Sequence, residues 1–408
     1  MTDTLSQCRA CAAKDPYLFL PLGDHPPANS FILPADRTLS QPTFALNTQA
    51  CLSCGLIQVA DQIPEDFFRH YLYVPSGADT MHGHFGELAR VLTDLSDGGL
   101  VADIGCNDGL LLNHCNALGA KSLGIDPAAN IAELARANGV ETECVYFGPQ
   151  TAAEIAARHG QAAVIVTTNT FNHIGDLHAF MQGVVTLLAP EGTFVIEVPW
   201  AKDLLDRNEF DTIYHEHVSA FSLLSIAKLG AIFGLDVVDV HRLTVHGGSM
   251  RVFLRRKGVS APTPIVQAML DEEIAAGMLE AQTYDAFAER IVAIHLRLRE
   301  MIDGLKAQGL TIAGYGAPAK GNTLLNYFAI GPGDLSFLVD RNPLKQGLYS
   351  PGAKIPVLSP DAIGTEKPDV LLVLAWNFFD EIRELQADFV ARGGSFLVPL
   401  PQPVLMSA

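Results

Sequence analysis

Apolar residues in this chain fall into short runs separated by alanine-rich or mixed segments of helical period, the pattern of alternating strands and helices. Leu100–Ile104 reads as a buried strand, and a turn containing Gly105 and Gly109 follows it before an apolar helix start. "SLGIDP" gives a second strand ending at Asp126, and an amphipathic helix follows. Residues 164–166 form a third apolar run, with Thr168, Asn169, Asn172 and His173 crowding its exit. "GTFVIEVPW" reads as a fourth strand, ending in Glu197 and Trp200. Residues 222–233 predict a helix, and 235–242 and 250–255 a hairpin turning at Gly247 and Gly248. Residues 261–308 read as one long helical connector at 3.6 spacing. The pattern then restarts, with a strand at 311–313, "FLVDRNP" ending in Asp340, and "VLLVLAWNF" with Trp376 and Asn377 at its tip. The chain is therefore expected to be α/β: a doubly wound unit at 77–260, a second Rossmann-like unit at 309–408, and a small region at 1–76 without this alternation.

Composition narrows the picture. The 408 residues suffice for several domains, and 49% hydrophobic against 18% charged content is that of a folded protein. A formal net charge of −18 argues against a nucleic-acid partner, which needs a cationic face. No apolar run reaches bilayer length, and "MTDTLSQCRACAAKD" lacks the basic-then-apolar order of a signal peptide, so no membrane partner is expected and the protein is placed in the cytoplasm. No coiled-coil pattern is visible, and a monomer is expected. The seven cysteines should then stay reduced. Four of them form two CxxC knuckles, Cys8/Cys11 in "CRAC" and Cys51/Cys54 in "CLSCG". Each knuckle aims two thiolates at one point, and two knuckles complete a closed, structural Cys₄ zinc site. Two unrelated pairs or a redox motif are the alternatives.

"DIGCNDG" is a βα turn without the GxGxxG dinucleotide spacing. It resembles the first motif of S-adenosylmethionine (SAM)-dependent methyltransferases; a dinucleotide site is the alternative. The candidate cofactor residues are Asp103, Gly105, Asn107 and Gly109 in the turn, Asp126, and Asn169 at the third strand's end. An acid closing the second strand suits both ribose hydroxyls of an adenosine. It also suits an N-cap ahead of Pro127 at N1. In the last unit, "GYGAPAKGN" places Gly314, Gly316, Gly321 and Lys320 around a helix start, where backbone N–H groups suit a diphosphate. Tyr315, Lys320, Asn322, Arg341, Lys345 and Trp376 are its candidate contacts; a dehydrogenase cofactor site and a pure scaffold are the alternatives.

"YHEH" sets Tyr214, His215, Glu216 and His217 side by side before a helix. The residues fit a proton-transfer centre, a metal site or a polar turn. Adjacent positions of a loop diverge, which disfavours a metal, and His215 reads as structural.

Taken in order, CxxC…CxxCG, "YLYVPSG", "DIGCNDG", "EVPW", "YHEHVSAFS", "HGGSMR" and "GYGAPAKGNTLLNYF" resemble the three-domain, zinc-containing, SAM-dependent C-methyltransferases of nucleotide-linked 4-keto-deoxysugars, over essentially the whole chain. The resemblance implies zinc in the first domain, SAM in the second and sugar-nucleotide contacts from the last. It also implies methylation at carbon 3, beside the 4-keto group. Tyr214, Glu216 and His217 match the family's active-site tyrosine, glutamate and histidine, with His217 as base, and His173 matches a second histidine. Tyr71 or Tyr73 matches a tyrosine that reaches the cofactor. The proline and single serine of "YVPSGAD" depart from the family's more polar stretch, which bears on substrate detail. A methyltransferase of oxygen or nitrogen acceptors, and a non-catalytic zinc- and SAM-binding protein, are the other readings.

Overall fold

The structure is a computed structural model that describes residues 5–61 and 79–407. Tyr71 and Tyr73 lie outside the described residues. Among the described residues the strands form three sheets. The first begins as an antiparallel meander of β1 (Tyr17–His25), β2 (Phe44–Ala50) and β3 (Ile57–Val59).

The second sheet follows the predicted alternation. Helix α1 (Asp79–Ser96) leads into β4 (Leu100–Ile104), α2 (Leu110–Ala117), β5 (Lys121–Ile125), α3 (Ala129–Ala137), β6 (Thr142–Glu143), α4 (Pro149–His159), β7 (Ala162–Thr168), α5 (Leu177–Leu187) and β8 (Leu188–Pro199). These five strands run parallel in the order β6-β5-β4-β7-β8. The order reverses between β4 and β7, so a ligand crevice opens there at the carboxyl ends. Strand β4 is buried at every residue, as a central parallel strand must be. After α6 (Ala201–Asp206) the chain enters the "YHEH" segment and then β9 (Ser219–Ala220), which pairs antiparallel with β3. The first sheet thus ends in a strand from the middle of the chain, which hydrophobic period did not reveal. Helix α7 (Leu223–Ile232) follows, with Ser222 outside it as N-cap, its Oγ accepting from Ser225 N at 3.0 Å. The predicted hairpin is β10 (Leu235–Leu243) and β11 (Ser249–Arg256), and β11 adds antiparallel to β8.

The connector is two helices, α8 (Pro264–Ala275) and α9 (Ala281–Ala307), where one was expected. The break centres on Gly277 at φ 73°, a left-handed conformation; a side chain there would also meet Thr283 Oγ1 at 2.5 Å. Buried Glu273 of α8 accepts from Leu223 N at 2.6 Å, Leu224 N at 2.8 Å and Trp200 Nε1 at 2.5 Å. One carboxylate thereby satisfies two free N–H groups of α7 and fixes the residue that follows β8. Helix α9 buries Tyr284, Phe287, Ile291, Ile294, Leu298 and Ile302 in a core shared with the first and third sheets.

The third sheet contains β12 (Ile312–Tyr315), β13 (Leu338–Val339), β14 (Val357–Leu358), β15 (Val370–Val373), β16 (Ser395–Val398) and β17 (Val404–Met406), in the order β14-β13-β12-β15-β16-β17. All pairs are parallel except β16–β17. Helix α10 (Ala319–Tyr327) follows β12 across the glycine turn. No helix is long and apolar enough to cross a membrane among the described residues.

Candidate active site

The four knuckle cysteines converge. Cys8 and Cys54 sulfurs lie 3.6 Å apart, Cys11 and Cys51 3.5 Å, and all four fall within 4.8 Å of one another. A zinc ion with four bonds of about 2.3 Å separates its sulfurs by nearly this distance. Hydrogen bonding to Cys54 and Cys8 holds the Cys51 thiol low, while the bond to Cys51 pushes Cys8 up to about 12 and Cys54 higher still. Such a cluster cannot carry several charges alone, and a divalent cation among the sulfurs would let all four ionise.

The knuckles brace the "YHEH" segment. Arg9, next to Cys8, donates Nη1 to Val59 O at 2.6 Å and to Val218 O at 3.0 Å. Ser222 Oγ donates to Cys54 O at 3.3 Å, and His215 Nε2 meets Ala45 O at 3.1 Å. His215 is thus a strut to the first sheet, as the sequence suggested.

His217 Nδ1 lies 3.0 Å from Thr212 O, which can only accept, so Nδ1 carries the proton of the neutral ring. Its Nε2 lone pair then accepts from the Tyr214 hydroxyl at 2.6 Å. The segment is a tight turn, closed by His217 N donating to Tyr214 O at 2.9 Å, and that fold brings the two rings together. The His173 ring stands edge-on to His217 with centroids 4.8 Å apart. Burial pulls His173 down to about 4, so it is neutral at ordinary pH. Glu216 is held by Asn29. Asn29 Nδ2 donates to both its oxygens, at 2.7 and 2.9 Å. Burial pushes Glu216 up to about 7, against the opposing effects of Asn29 and the Lys345 charge.

The cofactor candidates gather at the crevice. Gly105, Asn107 and Gly109 have φ of 79°, 50° and 81°, and Gly105 is packed so closely that a side chain would lie 2.2 Å from Thr170 Oγ1. Asp126 Oδ2 accepts from Asn107 N at 3.1 Å and Oδ1 from Ala128 N at 2.9 Å. The helix N-cap is Ala128, so Asp126 does not cap α3 and Pro127 is not its first residue. Burial raises Asp126, and Asp103 more strongly, to about 8 through burial and then the Asp126 charge. Asp103 Oδ1 has no hydrogen-bond partner among the described residues, which suits a polar ligand at this turn. Asn169, at φ 51°, donates its N–H to Glu197 O at 2.8 Å. Buried Glu197 takes Arg251 Nε at 2.8 Å and His84 Nε2 at 2.5 Å. Burial would raise it, but these bonds prevail and hold it low. That triad ties α1, β8 and β11 together and accounts for the acid of "EVPW" and the arginine of "HGGSMR".

The third-unit candidates divide. Lys345 Nζ donates to Ala317 O at 2.9 Å and sits 3.6 Å from Asp340 Oδ2. Lys320 lies over the Trp376 ring at 4.1 Å, and Trp376 Nε1 donates to Asp211 Oδ2 at 2.8 Å. Lys320 is lowered by burial, against the charges of Asp211 and Glu209. These carboxylates weaken the case for Lys320 as a diphosphate cation. Tyr315 is buried. Two further candidates have partners elsewhere in the chain. Asn322 is fully buried; its Nδ2 donates to Ala28 O at 2.8 Å, joining two domains, while its Oδ1 has no hydrogen-bond partner among the described residues. Arg341 is an exposed partner of Glu381 at 3.0 Å. Asn29 and Arg9 escaped the sequence reading because each stands alone in its stretch, without a motif.

A parallel sheet with a ligand crevice at its switch point, a close glycine turn and an acid closing the second strand define the class as SAM-dependent methyltransferase. Family models match for "Putative zinc binding domain" at residues 8–68, "Methyltransferase domain" at 81–240 and "C-methyltransferase C-terminal domain" at 244–401. The chain is 39% identical to the C-methyltransferase NovU of Streptomyces niveus over 409 aligned positions, covering 99% of this chain and 97% of that one. The chain belongs to this C-methyltransferase family. A ubiquinone biosynthesis O-methyltransferase of Azorhizobium caulinodans is 29% identical over 29% of this chain and 47% of its own length. The CcbJ methyltransferase of Streptomyces caelestis aligns with a TM-score of 0.35 and 13% identity, over 43% of this chain and 90% of that one.

Proposed function

We propose that the enzyme methylates carbon 3 of a nucleotide-linked 4-keto-deoxysugar. The hydrogen beside a ketone is weakly acidic, so carbon methylation needs a base and a donor to the enolate oxygen. The observation that carries the reading is the Tyr214–His217 pair, whose imidazole keeps its lone pair on the side of the phenol. His217 acts as base, directly or through the Tyr214 oxygen. Neutral His173 stands edge-on beside it, its ring held by backbone hydrogen bonds at Glu216 and Asn169, and orders the His217 ring. The enolate carbon then attacks the sulfonium methyl of SAM; the carbon–carbon bond forms as the methyl–sulfur bond breaks, leaving S-adenosylhomocysteine. Asp103, Gly105, Asn107, Gly109, Asp126 and Asn169 hold SAM. Tyr315, Lys345 and Trp376 line the nucleotide side. The protein works as a cytoplasmic monomer on this small molecule, with no nucleic-acid partner, in keeping with its net charge of −18.

The test incubates enzyme and a panel of nucleotide-linked 4-keto-6-deoxysugars in deuterated water, with and without SAM. Deuterium entering the carbon beside the ketone without SAM, and one added CH₂ located there by NMR with it, support the reading. A methyl on oxygen or nitrogen refutes it, and a methyl on the ketone's other flank, carbon 5, corrects the position alone.

A further inference from the structure

The connection between β1 and β2 runs over residues 26–43, far more than the about 2–5 residues a hairpin needs. Loops of this length are mostly functional or disordered, and this one is ordered by its partners on the last unit. Ile32 and Tyr349 exchange two backbone hydrogen bonds, each of 2.9 Å. Gly352 N donates to Gln41 Oε1 at 2.8 Å, and Lys354 Nζ donates to the carbonyls of Arg37 and Leu39 at 2.9 Å.

One side chain of this strap reaches the "YHEH" segment. Asn29 Nδ2 lies 2.7 Å from one carboxylate oxygen of Glu216 and 2.9 Å from the other. The turn that carries Asn29 is fixed from outside. Asn322 Nδ2, on α10 of the last unit, donates to Ala28 O at 2.8 Å. That carbonyl shares one rigid peptide plane with the nitrogen of Asn29, so the bond sets where residue 29 begins. Ser30 N donates to Pro27 O at 3.0 Å and Phe31 N to Asn29 O at 2.9 Å, which closes the turn. Phe31 lies under the Lys345 ammonium at 5.3 Å, within cation–π range. Ala28 and Glu216 are 5% and 6% exposed, so water competes little for their bonds. An amide N–H donating to a carboxylate favours its charged form, and the Lys345 charge acts in the same sense. The other titratable groups about Glu216 are His173, which meets its backbone, and Tyr214, His215 and His217 of its own turn.

We propose that Asn29 is a positioning residue for Glu216, and that Asn322 of the last unit holds Asn29 in place. The path Asn322–Ala28–Asn29–Glu216 joins the last unit, the zinc-binding domain and the "YHEH" turn, so the carboxylate is set only when all three are docked. It gives the asparagine of "GYGAPAKGN" a task across a domain boundary. The functional half rests on the reading of Glu216 as an active-site residue; the positional half stands without it.

The experiment has two arms. In the first, carbon-13 NMR follows the Glu216 carboxyl through a pH titration of the full zinc-loaded chain, its signal being the one that Glu216→Gln removes. Hydrogen bonds to a charged group are strong, so Asn29→Ala should raise the proton affinity of Glu216 about 10-fold. Asn322→Ala should move it the same way by less. Asn29→Asp keeps the size and sets a second acid against the first, so it should raise the affinity further, and it serves if Asn29→Ala fails to fold. An unmoved titration in the Asn29 variants overturns the proposal whatever the acceptor is, and one in Asn322→Ala overturns the role of Asn322. The second arm measures kcat/KM for a nucleotide-linked 4-keto-6-deoxysugar. Asn29→Ala should lower it about 10-fold in the wild-type chain and less than about two-fold on top of Glu216→Gln, because the effect passes through that carboxylate. Equal losses in both backgrounds mean that Asn29 acts elsewhere and overturn the positioning role. Full turnover by Glu216→Gln, with the titration shifted as expected, overturns the active-site reading of Glu216 alone. The first arm decides the positional half even where no sugar is turned over.

Discussion

The two Rossmann-like units share one device and use it differently. In the first, Asp126 at the end of β5 accepts from Asn107 N in the preceding turn and from Ala128 N two residues on. In the last, Asp340 does the same with Ala317 N at 2.8 Å and Asn342 N at 2.8 Å. The difference is what faces the acid. Among the described residues no cation contributes to the Asp126 environment, and burial keeps its affinity for a proton raised. Beside Asp340 stands Lys345, which also takes the turn's own carbonyl at Ala317. One crevice therefore keeps its acid without a neutralising cation among the described residues. The other neutralises its acid within the chain and holds a lysine whose charge reaches Glu216. The same backbone topology can thus be a cofactor site or a mount for an active-site cation.

If chemistry belongs to the first unit, the largest effect should come from His217→Asn. Loss of a general base costs about 10²–10⁴-fold in turnover, and SAM affinity should stay within about two-fold. Single-turnover kinetics and calorimetry read the two separately. Near-normal turnover would remove His217 as base. Next comes the matched pair Asp126→Ala and Asp340→Ala. Losing hydrogen bonds to a charged group is worth about 1.5–3 kcal/mol, so Asp126→Ala should weaken SAM binding about 10- to 100-fold. Asp340→Ala should leave SAM binding unchanged and raise the acceptor's KM. Equal losses of SAM affinity would break the comparison.

Much of this was legible in the sequence, and for local reasons. Glycines at positive φ mark both turns, the acid follows at the end of the next strand, and CxxC spacing fixes the knuckles. What was not legible is long-range. A two-residue strand such as β9 has no period to read, so its pairing with β3 was invisible. Asn29 binds Glu216 across 187 positions, and Arg9 holds Val218 across 209. The connector misled because Gly277 is one residue in a stretch that otherwise keeps helical period. The bond from Asn322 to Ala28 was invisible likewise, because a motif tells which residues recur together, not which distant carbonyl an amide reaches.

Glu216 sharpens the comparison through pH. Folded Glu216 keeps its proton up to about 7, whereas its ordinary value is 4.5. Between those values the folded state binds more protons, so this group makes stability fall as pH rises through the window. The full contribution is about 3 kcal/mol by linkage. Glu216→Gln should therefore flatten the slope of denaturation free energy between about pH 4.5 and 7 and gain most at the upper end. Lys345→Met should steepen it, because the lysine charge opposes the rise. An unchanged slope in both variants would detach the last unit's lysine from the active site.

The smallest effect separates two cations of the last unit, Arg341 and Lys345. Arg341 and Glu381 form a pair whose side chains are 64% and 46% exposed. Such pairs contribute about 0–1 kcal/mol, so Arg341→Ala should shift stability by less than about 0.5 kcal/mol and the acceptor's KM by less than about two-fold. Lys345 is only 14% exposed, fixed by Ala317 O, and its charge is felt at Glu216, so Lys345→Ala should raise KM several times more. The contrast rests on confinement: a partly buried lysine is little screened, while an exposed guanidinium loses most of its field to water and salt. If Arg341→Ala proved the more harmful, the acceptor's charged end would lie outside the crevice, beside Glu381. Asp340 and Lys345 would then be the scaffold of that unit and nothing more.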